Sequence, residues 1–460
     1  PLAVDQRRPY RDPDALQRFR ELGWSPYSKT QIGQQALEPV LRQHAESLPA
    51  LDMRHGWRFE SFEQHADHVR ARIVELATGR SEQVHADYLV ACDGGGSAIR
   101  RQLGIRRNGR GRMRSNVSFF FRSRQFLEVH GLGMANLYFV FSPGSFGVFT
   151  AIDGVELWNY QYYFLDPTRA SETPDAAEIL YRAVGKPFDF ELLQTTHWHH
   201  HQSVARSWRA GRVFLAGDAA HLFAPTGGVG MNTGIGDACD LAWKLDAVFK
   251  GWADDSLLDT YEIERKPVAV RNSLISATNS DKIDMVMDET PEDIHDDTLA
   301  AQQARLLLSR KIKWLARQFN SAGTHLGHRY IDSPIIIADG TPEPPDDPSQ
   351  LVPSSWPGMR APHAWMQDGR STLDLFGRDF VLLRFAAAQA SRGNDDERLL
   401  DAARAVGMPL SLIDLEDTAI ASLYARRLVL VRPDGHVAWR GEQLPADVAA
   451  LVERIRGKGR

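Results

Sequence analysis

The stretch from Arg212 to Leu245 constrains the fold more than any other part of the chain, because four features follow one another in it without interruption. They are a short apolar run, an acidic residue, a glycine-rich loop and a helical pattern. The run at 212–216 is too short and too uniformly apolar for an exposed strand, which predicts a buried parallel strand that ends at Gly217. Asp218 therefore lies at the carboxyl end of that strand, where open α/β sheets bind their ligands.

The glycine-rich loop is predicted to lead directly into an amphipathic helix. The loop residues that interrupt regular structure are Pro225, Gly227, Gly228 and Gly230. The helix is expected to begin near Met231 or Asn232 and to bury a face made of Ala238, Leu241, Ala242, Leu245, Val248 and Phe249. Free N–H groups at the helix start favour an anion, and the carboxylate of Asp218 can accept hydrogen bonds from hydroxyl groups. This indicates a site for a hydroxylated ligand, and a glycine-rich turn with a structural aspartate is the alternative.

Two motifs resemble the signatures of one enzyme family. The string GDAAHLFAPTGGVGMNTGIGDACDLAWKL resembles the second flavin motif of the flavin-dependent aromatic hydroxylases, the p-hydroxybenzoate hydroxylase-like monooxygenases. Residues 87–103, DYLVACDGGGSAIRRQL, resemble the family's Asp-Gly segment, which lies beside the FAD pyrophosphate. The resemblance implies an α/β fold: a doubly wound FAD/NAD(P)-binding domain, a substrate domain with a mostly antiparallel β-sheet, and a C-terminal thioredoxin-like domain that lacks CxxC.

The resemblance also implies roles for individual residues. The segment Ile32 to Leu37 resembles the family's I-x-Q-x-x-L segment, which places Gln34 at the ribityl or phosphate region of the flavin. Arg42 could reach a phosphate, or it could lie on a solvated helix face. The cofactor-binding residues expected are Gln34, Arg42, Asp93, Gly217, Asp218, Gly228, Gly230, Met231 and Asn232.

The catalytic residue expected is Pro225, which would exclude water from the flavin ring together with an aromatic sheet above it. The substrate-pocket residues expected from that sheet are Trp158, Tyr160 and Tyr162, which alternate on one face of a predicted strand. The alternative for each of these rings is a place in the core between the sheet and the helices.

The activity that the resemblance implies is hydroxylation of a phenolic or polyketide-type aromatic substrate. FAD would be the cofactor, NADPH or NADH the co-substrate and dioxygen the oxidant, through a flavin C4a-hydroperoxide. Two other functions stay open: an FAD-family binding protein without hydroxylase activity, and an NAD(P)H oxidase or reductase.

The domain organisation expected is an FAD-binding domain at 1–112 and 202–275, a substrate domain at 113–201, a helical connection at 276–345 and the thioredoxin-like domain at 346–460. The family's opening strand with GxGxxG is not found near the start of this sequence. We expect that an N-terminal segment is missing from the sequence, and true loss of the motif is the alternative.

Composition and short patterns exclude several other functions. The net charge of −5 argues against a nucleic-acid partner. No apolar run has the length of a membrane span and no signal-peptide pattern is present, so a cytoplasmic location is expected. The histidines at 197 and 199–201 lack further ligands at metal spacing, so no metal is expected. Cys92 and Cys239 form no CxxC. A homodimer is a further expectation.

Overall fold

The computed structural model describes residues 23–164, 167–169, 171–385 and 396–458. The secondary structure of this part, in chain order, is α1 (Gln34–Glu46), β1 (Trp57–Gln64), β2 (Val69–Glu75), β3 (Ser81–Ala86), β4 (Leu89–Ala91), α2 (Ala98–Gln102), β5 (Arg107–Arg122), α3 (Phe126–His130), β6 (Leu137–Val140), β7 (Gly147–Ala151), β8 (Leu157–Tyr163), α4 (Ala176–Val184), β9 (Glu191–Ala205), β10 (Arg209–Ala210), β11 (Val213–Leu215), β12 (His221–Leu222), α5 (Gly230–Phe249), α6 (Ser256–Asp288), α7 (Leu299–Leu315), α8 (Ala322–Leu326), β13 (Phe380–Phe385), α9 (Glu397–Ala405), β14 (Leu410–Leu415), α10 (Thr418–Tyr424), β15 (Leu428–Val431), β16 (Val437–Gly441) and α11 (Val448–Ile455). None of the described helices is long and apolar enough to cross a lipid bilayer.

A small sheet of order β10-β11-β4 contains the strand predicted at the centre of the sequence. β11 pairs with β4 in parallel, with Val213 opposite Leu89 and Leu215 opposite Ala91. All three residues of β11 are buried, in a core shared with α5, α6 and the meander β1-β2-β3. The prediction of a buried parallel strand is therefore confirmed, and it places the residues after β4 and β11 side by side.

The largest sheet has six strands in the order β12-β9-β5-β8-β7-β6. Its long strands β5 and β9 are antiparallel neighbours, as are β5 and β8. One face packs against α4 through an aromatic core that includes Phe121, Phe126 and Phe188. The other face packs against α6 through Tyr163, Ile283 and other apolar side chains. The expected antiparallel sheet is thus present and covered on both faces, and the domain boundaries given above stay a prediction.

The C-terminal part forms a separate four-stranded sheet of order β14-β13-β15-β16. β13 runs parallel to β14 and antiparallel to β15, and β16 is antiparallel to β15. The order of elements, β13-α9-β14-α10-β15-β16-α11, is thioredoxin-like, as the resemblance implies. The sequence has no cysteine beyond Cys239, so dithiol exchange by this domain is excluded.

The C-terminal sheet packs directly on α5, the helix that follows the glycine-rich loop. Trp243 and Ala247 of α5 share a core with Phe380 and Leu430 of the sheet. The predicted buried face of α5 is partly wrong because this second contact buries a different side of the helix. Leu241 is buried as expected, whereas the predicted core residues that are exposed are Ala238, Ala242 and Phe249.

A cluster of charged side chains is buried at the same contact. Lys244 Nζ lies 2.7 Å from Asp240 Oδ2 and 2.6 Å from Glu264 Oε2. Arg432, from the turn between β15 and β16, lies 2.7 Å from Glu264 and 3.0 Å from Asp240. Burial alone would disfavour the charged carboxyl of Glu264, but Arg432 and Lys244 hold its pKa well below the ordinary value. The cluster joins α5, α6 and the C-terminal sheet.

Candidate functional site

The two sequence motifs meet at one edge of the small sheet. Because β4 and β11 are parallel neighbours, Asp93 and Asp218 both follow the carboxyl ends of adjacent strands. Asp93 Oδ2 accepts a hydrogen bond of 3.2 Å from the Ile99 N–H at the start of α2. The carboxylate of Asp218 is exposed and makes no hydrogen bond with the described residues. Asp93 thus stabilises its own turn, while Asp218 is available for a ligand.

Arg107, at the first position of β5, joins the two motifs. Its Nη1 donates to the carbonyl oxygen of Gly95 at 2.9 Å, and its Nη2 donates to the carbonyl oxygens of Asp218 at 2.7 Å and Ala219 at 3.1 Å. Desolvation, with a smaller effect of Arg100, lowers the pKa of Arg107 to about 10. The sequence analysis did not identify Arg107, because its partners belong to two other segments and its position in the sequence gives no sign of a bridging role.

Replacement of Arg107 by methionine is expected to weaken FAD binding about tenfold. The variant loses charge-assisted hydrogen bonds that fix the Asp218 turn, and losses of this kind cost about 1.5 kcal/mol or more. The dissociation constant of FAD, measured by quenching of its fluorescence, checks the effect. Arg106→Met is the matched control, since Arg106 is exposed and contributes its backbone carbonyl rather than its side chain to the described contacts. Equal constants for the two variants would contradict the bridging role.

The loop that follows Asp218 is open and suited to a cofactor. Gly227 and Gly228 have φ values of +93° and +66°, which favour glycine. A Cβ on Gly228 would meet no atom of the described residues within 4 Å, so none of them fills the space above this backbone. Pro225 is exposed at the start of the loop.

The helix start beside this loop offers free backbone donors. α5 begins at Gly230, one residue before the predicted position, and no side chain caps its first turn. Met231 and Asn232 are exposed there, and Asn232 Nδ2 donates to the carbonyl oxygen of Gly228 at 2.8 Å. Uncapped N–H groups at the start of a 20-residue helix suit an electron-rich ligand edge. Together with the free carboxylate of Asp218, this arrangement fits the sugar-alcohol chain and ring of a flavin.

A buried aspartate of α5 holds the turn that contains Asp218 in place. Asp237 Oδ2 accepts from the Gly217 N–H at 3.2 Å and lies 2.8 Å from His221 Nε2, and its Oδ1 lies 3.0 Å from Arg265 Nε. Burial would raise the pKa of Asp237, but the His221 hydrogen bond and the charge of Arg265 keep it below the ordinary value. His221 is fully buried and contacts Asp237, so it supports the turn from within the core. Sequence reasoning missed Asp237, because a charged residue within a helical pattern is normally assigned to the solvent-facing side.

Two of the expected cofactor residues lie on an exposed helix away from these contacts. Gln34 begins α1, and Gly33 before it packs near Ile152. Arg42 is more than half exposed and lies 3.9 Å from Glu46 in solvent. No hydrogen bond or ion pair among the described residues joins either side chain to Asp93 or Asp218. Their assignment to the cofactor stays a prediction.

The expected substrate-pocket residues Trp158 and Tyr160 lie in the core instead, which corrects that prediction. Both are 0% exposed within the aromatic core between the sheet and α4. The indole N–H of Trp158 donates to the Ser123 carbonyl, and the Tyr160 hydroxyl donates to the Ser145 carbonyl. Tyr162 is half-buried at the margin of the same core. Alternation identified the two faces of β8 correctly, but it could not tell which of them packs against α4.

The opposite face of the sheet carries the polar side chains that a substrate could contact. Ser118, Gln161 and Trp198 are partly exposed on this face, and Trp198 Nε1 donates to Ser118 Oγ at 2.8 Å. Asn116 and His200 are buried beside them, with Asn116 Nδ2 2.5 Å from His200 Nε2. These residues were missed by the sequence analysis, which placed His200 only within a run of histidines.

His200 is expected to make stability depend on pH below neutrality. Burial, assisted by Arg114 and His201, lowers the pKa of His200 to about 3. The unfolded chain protonates this ring near pH 6.5 and the folded chain does not, so its stabilising contribution is complete above that value and decreases as the pH falls toward 3. At pH 5 the loss from this residue is about 2 kcal/mol.

The change is measurable as the difference between wild-type protein and a His200→Phe variant. We expect urea denaturation to show a free energy of unfolding that decreases more steeply in the wild type than in the variant between neutral pH and pH 5. His197, on an exposed part of the same strand, provides the control variant His197→Phe. Parallel pH profiles for wild type and His200→Phe would contradict the buried neutral state of this ring.

Two family descriptions match the sequence. Residues 11–273 match the FAD binding domain, and residues 354–458 match the aromatic-ring hydroxylase C-terminal domain. The first match includes both motifs at the edge of the small sheet, and the second includes the whole C-terminal sheet.

Individual relatives agree with these matches. A putative polyketide hydroxylase of Streptomyces halstedii is 38% identical over 448 residues, which cover 92% of this chain and 76% of that protein. The rebeccamycin biosynthetic enzyme RebC, solved with reduced flavin, is 41% identical with a TM-score of 0.79, covering 88% of this chain and 74% of that one. The flavin-dependent monooxygenase PieE, solved with FAD and substrate, is 29% identical with a TM-score of 0.86, covering 97% of this chain and 83% of that one.

Proposed function

Because the chain belongs to the FAD-dependent aromatic-ring hydroxylases, we propose that it inserts one oxygen atom from dioxygen into a phenolic or polyketide-type aromatic ring, with NADPH or NADH as the reductant. The observation that carries the proposal is the free carboxylate of Asp218 beside an open glycine loop and an uncapped helix start. This combination suits the hydroxylated chain and electron-rich ring of a flavin better than it suits a structural turn, whose aspartate would be occupied by its own backbone.

The residues proposed to hold FAD come from both motifs. Asp218 would accept hydrogen bonds from the ribityl hydroxyls, and the Gly228 backbone would face the ring. The N–H groups of Gly230, Met231 and Asn232 would lie at the edge of the ring that carries negative charge after reduction. When bound, FAD supplies the electron transfer from NAD(P)H and the activation of dioxygen.

The protein's own contribution to the reaction is position, electrostatics and exclusion of water. Pro225 would lie over the ring and keep solvent away from the reacting oxygen, since water there diverts the reaction to hydrogen peroxide. Asp237 and Arg107 keep the Asp218 turn fixed, because both bind its backbone. The partly exposed polar face of the six-stranded sheet would orient the aromatic substrate against the ring.

The most direct test of this function follows an oxygen atom from dioxygen into the product. Purified protein loaded with FAD is supplied with NADPH or NADH, isotopically heavy dioxygen and a panel of phenols and polycyclic hydroxyaromatics. We expect at least one substrate to accelerate NAD(P)H oxidation and to gain one heavy oxygen atom. NAD(P)H consumption that is unchanged by every aromatic and yields only peroxide would indicate an oxidase. Failure to retain FAD would indicate a flavin-free binding protein without hydroxylase activity. The homodimer expected from the sequence stays a prediction.

A further inference from the structure

Three neighbouring side chains on the α6-facing side of the large sheet are buried but incompletely hydrogen bonded. Arg114 is 9% exposed, Asn116 is 0% exposed and His200 is 1% exposed. Arg114 Nε and Nη1, Asn116 Oδ1 and His200 Nδ1 lack a hydrogen-bond partner among the described residues. Buried polar groups are nearly always paired in folded proteins, so four unpaired atoms at one place point to a ligand.

These side chains surround the ring of Tyr163. The guanidinium carbon of Arg114 lies 4.5 Å from the Tyr163 ring centroid, and the His200 ring centroid lies 6.1 Å from it. Asn116 is opposite Tyr163 in the pairing of β5 with β8, and its Nδ2 is 2.5 Å from His200 Nε2. Asn116 and His200 are therefore in direct contact, and Arg114 is opposite His200 in the pairing of β5 with β9.

The hydrogen bonds that Arg114, Asn116 and His200 already make determine which of their atoms remain for a ligand. Arg114 directs Nη2 at Ser280 Oγ, at 3.0 Å, and at Asp284 Oδ1, at 2.5 Å, so its other two nitrogens are free to donate elsewhere. Because Asn116 Nδ2 donates to His200 Nε2, the neutral imidazole carries its hydrogen on Nδ1. The cluster thus offers donors from Arg114 and His200 and an acceptor from Asn116.

A hydroxyl group matches this set of donors and acceptor. Its oxygen accepts from N–H groups, and its hydrogen is donated to an amide oxygen. A carbonyl or a carboxylate has no hydrogen for Asn116 Oδ1. The charge of Arg114 is already balanced by Asp284, which favours a neutral group over an anion.

The cluster lies close to the proposed cofactor loop. Thr226 Oγ1 donates to the Ser276 carbonyl of α6 at 2.6 Å, and Gly227 packs against Asn279, whose Nδ2 would lie 3.5 Å from a Cβ at that glycine. Ser280, the partner of Arg114, follows Asn279 directly and lies about one helical turn, roughly 5–6 Å, from Ser276. A molecule that touches the cluster can therefore extend to the flavin loop.

We propose that Arg114, Asn116 and His200 form a subsite for a free hydroxyl group of the aromatic substrate, an inference that rests on the proposed function. The subsite selects hydroxylated aromatics over their O-methyl ethers, because an ether cannot donate to Asn116 and its methyl group needs space in a closed cluster. It is a specificity-determining site on the sheet, separate from the residues that hold the flavin.

The test compares the binding of β-naphthol and of its methyl ether to the FAD-loaded full chain, by isothermal titration calorimetry without NAD(P)H. Wild-type protein is expected to bind β-naphthol at least tenfold more tightly than the ether. In Asn116→Leu and His200→Phe the ratio of the two affinities should fall to about one. The cause should be weaker binding of β-naphthol, while the affinity for the ether changes less than about twofold. His200→Asn retains a donor near the Nδ1 position and should restore part of the ratio.

Tyr160→Phe is the matched control. It removes a buried hydroxyl from the opposite face of the same sheet and should leave the ratio unchanged. Equal weakening of both probes by Asn116→Leu and His200→Asn would show a purely structural cluster, and wild-type affinities for both probes in these variants would show that water satisfies these atoms. Either result overturns the subsite. Because binding is measured without turnover, absence of hydroxylation with the ratio as expected would overturn the proposed function alone.

Discussion

Replacement of Asp237 by alanine is expected to lower the free energy of unfolding by about 3–5 kcal/mol, because it breaks a buried ion pair. The change leaves the guanidinium of Arg265 buried without its carboxylate, and it removes the acceptor of His221 and of the Gly217 N–H. Urea denaturation followed by tryptophan fluorescence measures the loss, since the buried Trp208 ring lies 5.5 Å from the ring of His221.

Asp246→Ala is the control for this prediction. Asp246 lies on the same helix, is exposed and pairs with Lys250 at 2.8 Å, so its loss should change stability by less than about 0.5 kcal/mol. The loss of stability in Asp237→Asn should lie between the losses in these two variants. Its amide oxygen can still accept from the Gly217 N–H, but the charge that balances Arg265 is lost. If Asp237→Ala and Asp246→Ala unfold at the same urea concentration, Asp237 does not stabilise the turn that contains Asp218.

Replacement of Asp218 by alanine is expected to weaken FAD binding by roughly ten- to a hundredfold without a measurable change in stability. The carboxylate is exposed and unpaired among the described residues, so the fold does not need it. Hydrogen bonds between a carboxylate and ligand hydroxyls are worth about 1.5–3 kcal/mol, which gives the affinity range. Fluorescence titration with FAD gives the dissociation constant, and thermal unfolding of the cofactor-free protein gives the stability.

The two aspartates therefore separate binding from folding. Asp237→Ala should reduce stability first and lose FAD as a consequence, whereas Asp218→Ala should lose FAD from a protein of normal stability. A wild-type dissociation constant in Asp218→Ala would exclude the ribityl role of this residue. A large loss of stability in the same variant would favour the alternative hypothesis, a glycine-rich turn in which Asp218 is structural.

The elements that form the candidate cofactor site could be predicted from the sequence because local patterns determine them. The apolar run of β11 and the glycines before α5 each act within a few residues, and the structure places them as expected. Asp93 and Asp218 are distant in sequence, but two parallel strands end at the same edge of a sheet, so two strand predictions were enough to bring them together.

What the sequence could not provide depends on long-range contacts. The pattern of β8 separates Trp158 and Tyr160 from Asn159 and Gln161, but which face packs on α4 depends on the placement of a helix later in the chain. The burial of Asp240 and Lys244 follows from Arg432, whose position in the sequence gives no sign of that contact. Arg107 was missed for the same reason, since its partners belong to two other segments.

The contact of Arg432 with Asp240 and Glu264 has a consequence for biosynthesis. α5 presents the flavin loop at one end, and its middle is completed by a guanidinium that the ribosome adds about 190 residues later. Until that residue emerges, the carboxylates of Asp240 and Glu264 have Lys244 but lack the second of their two cationic partners. We therefore expect a chain that ends before Arg432 to lack part of the charge balance behind α5, even though it contains both sequence motifs.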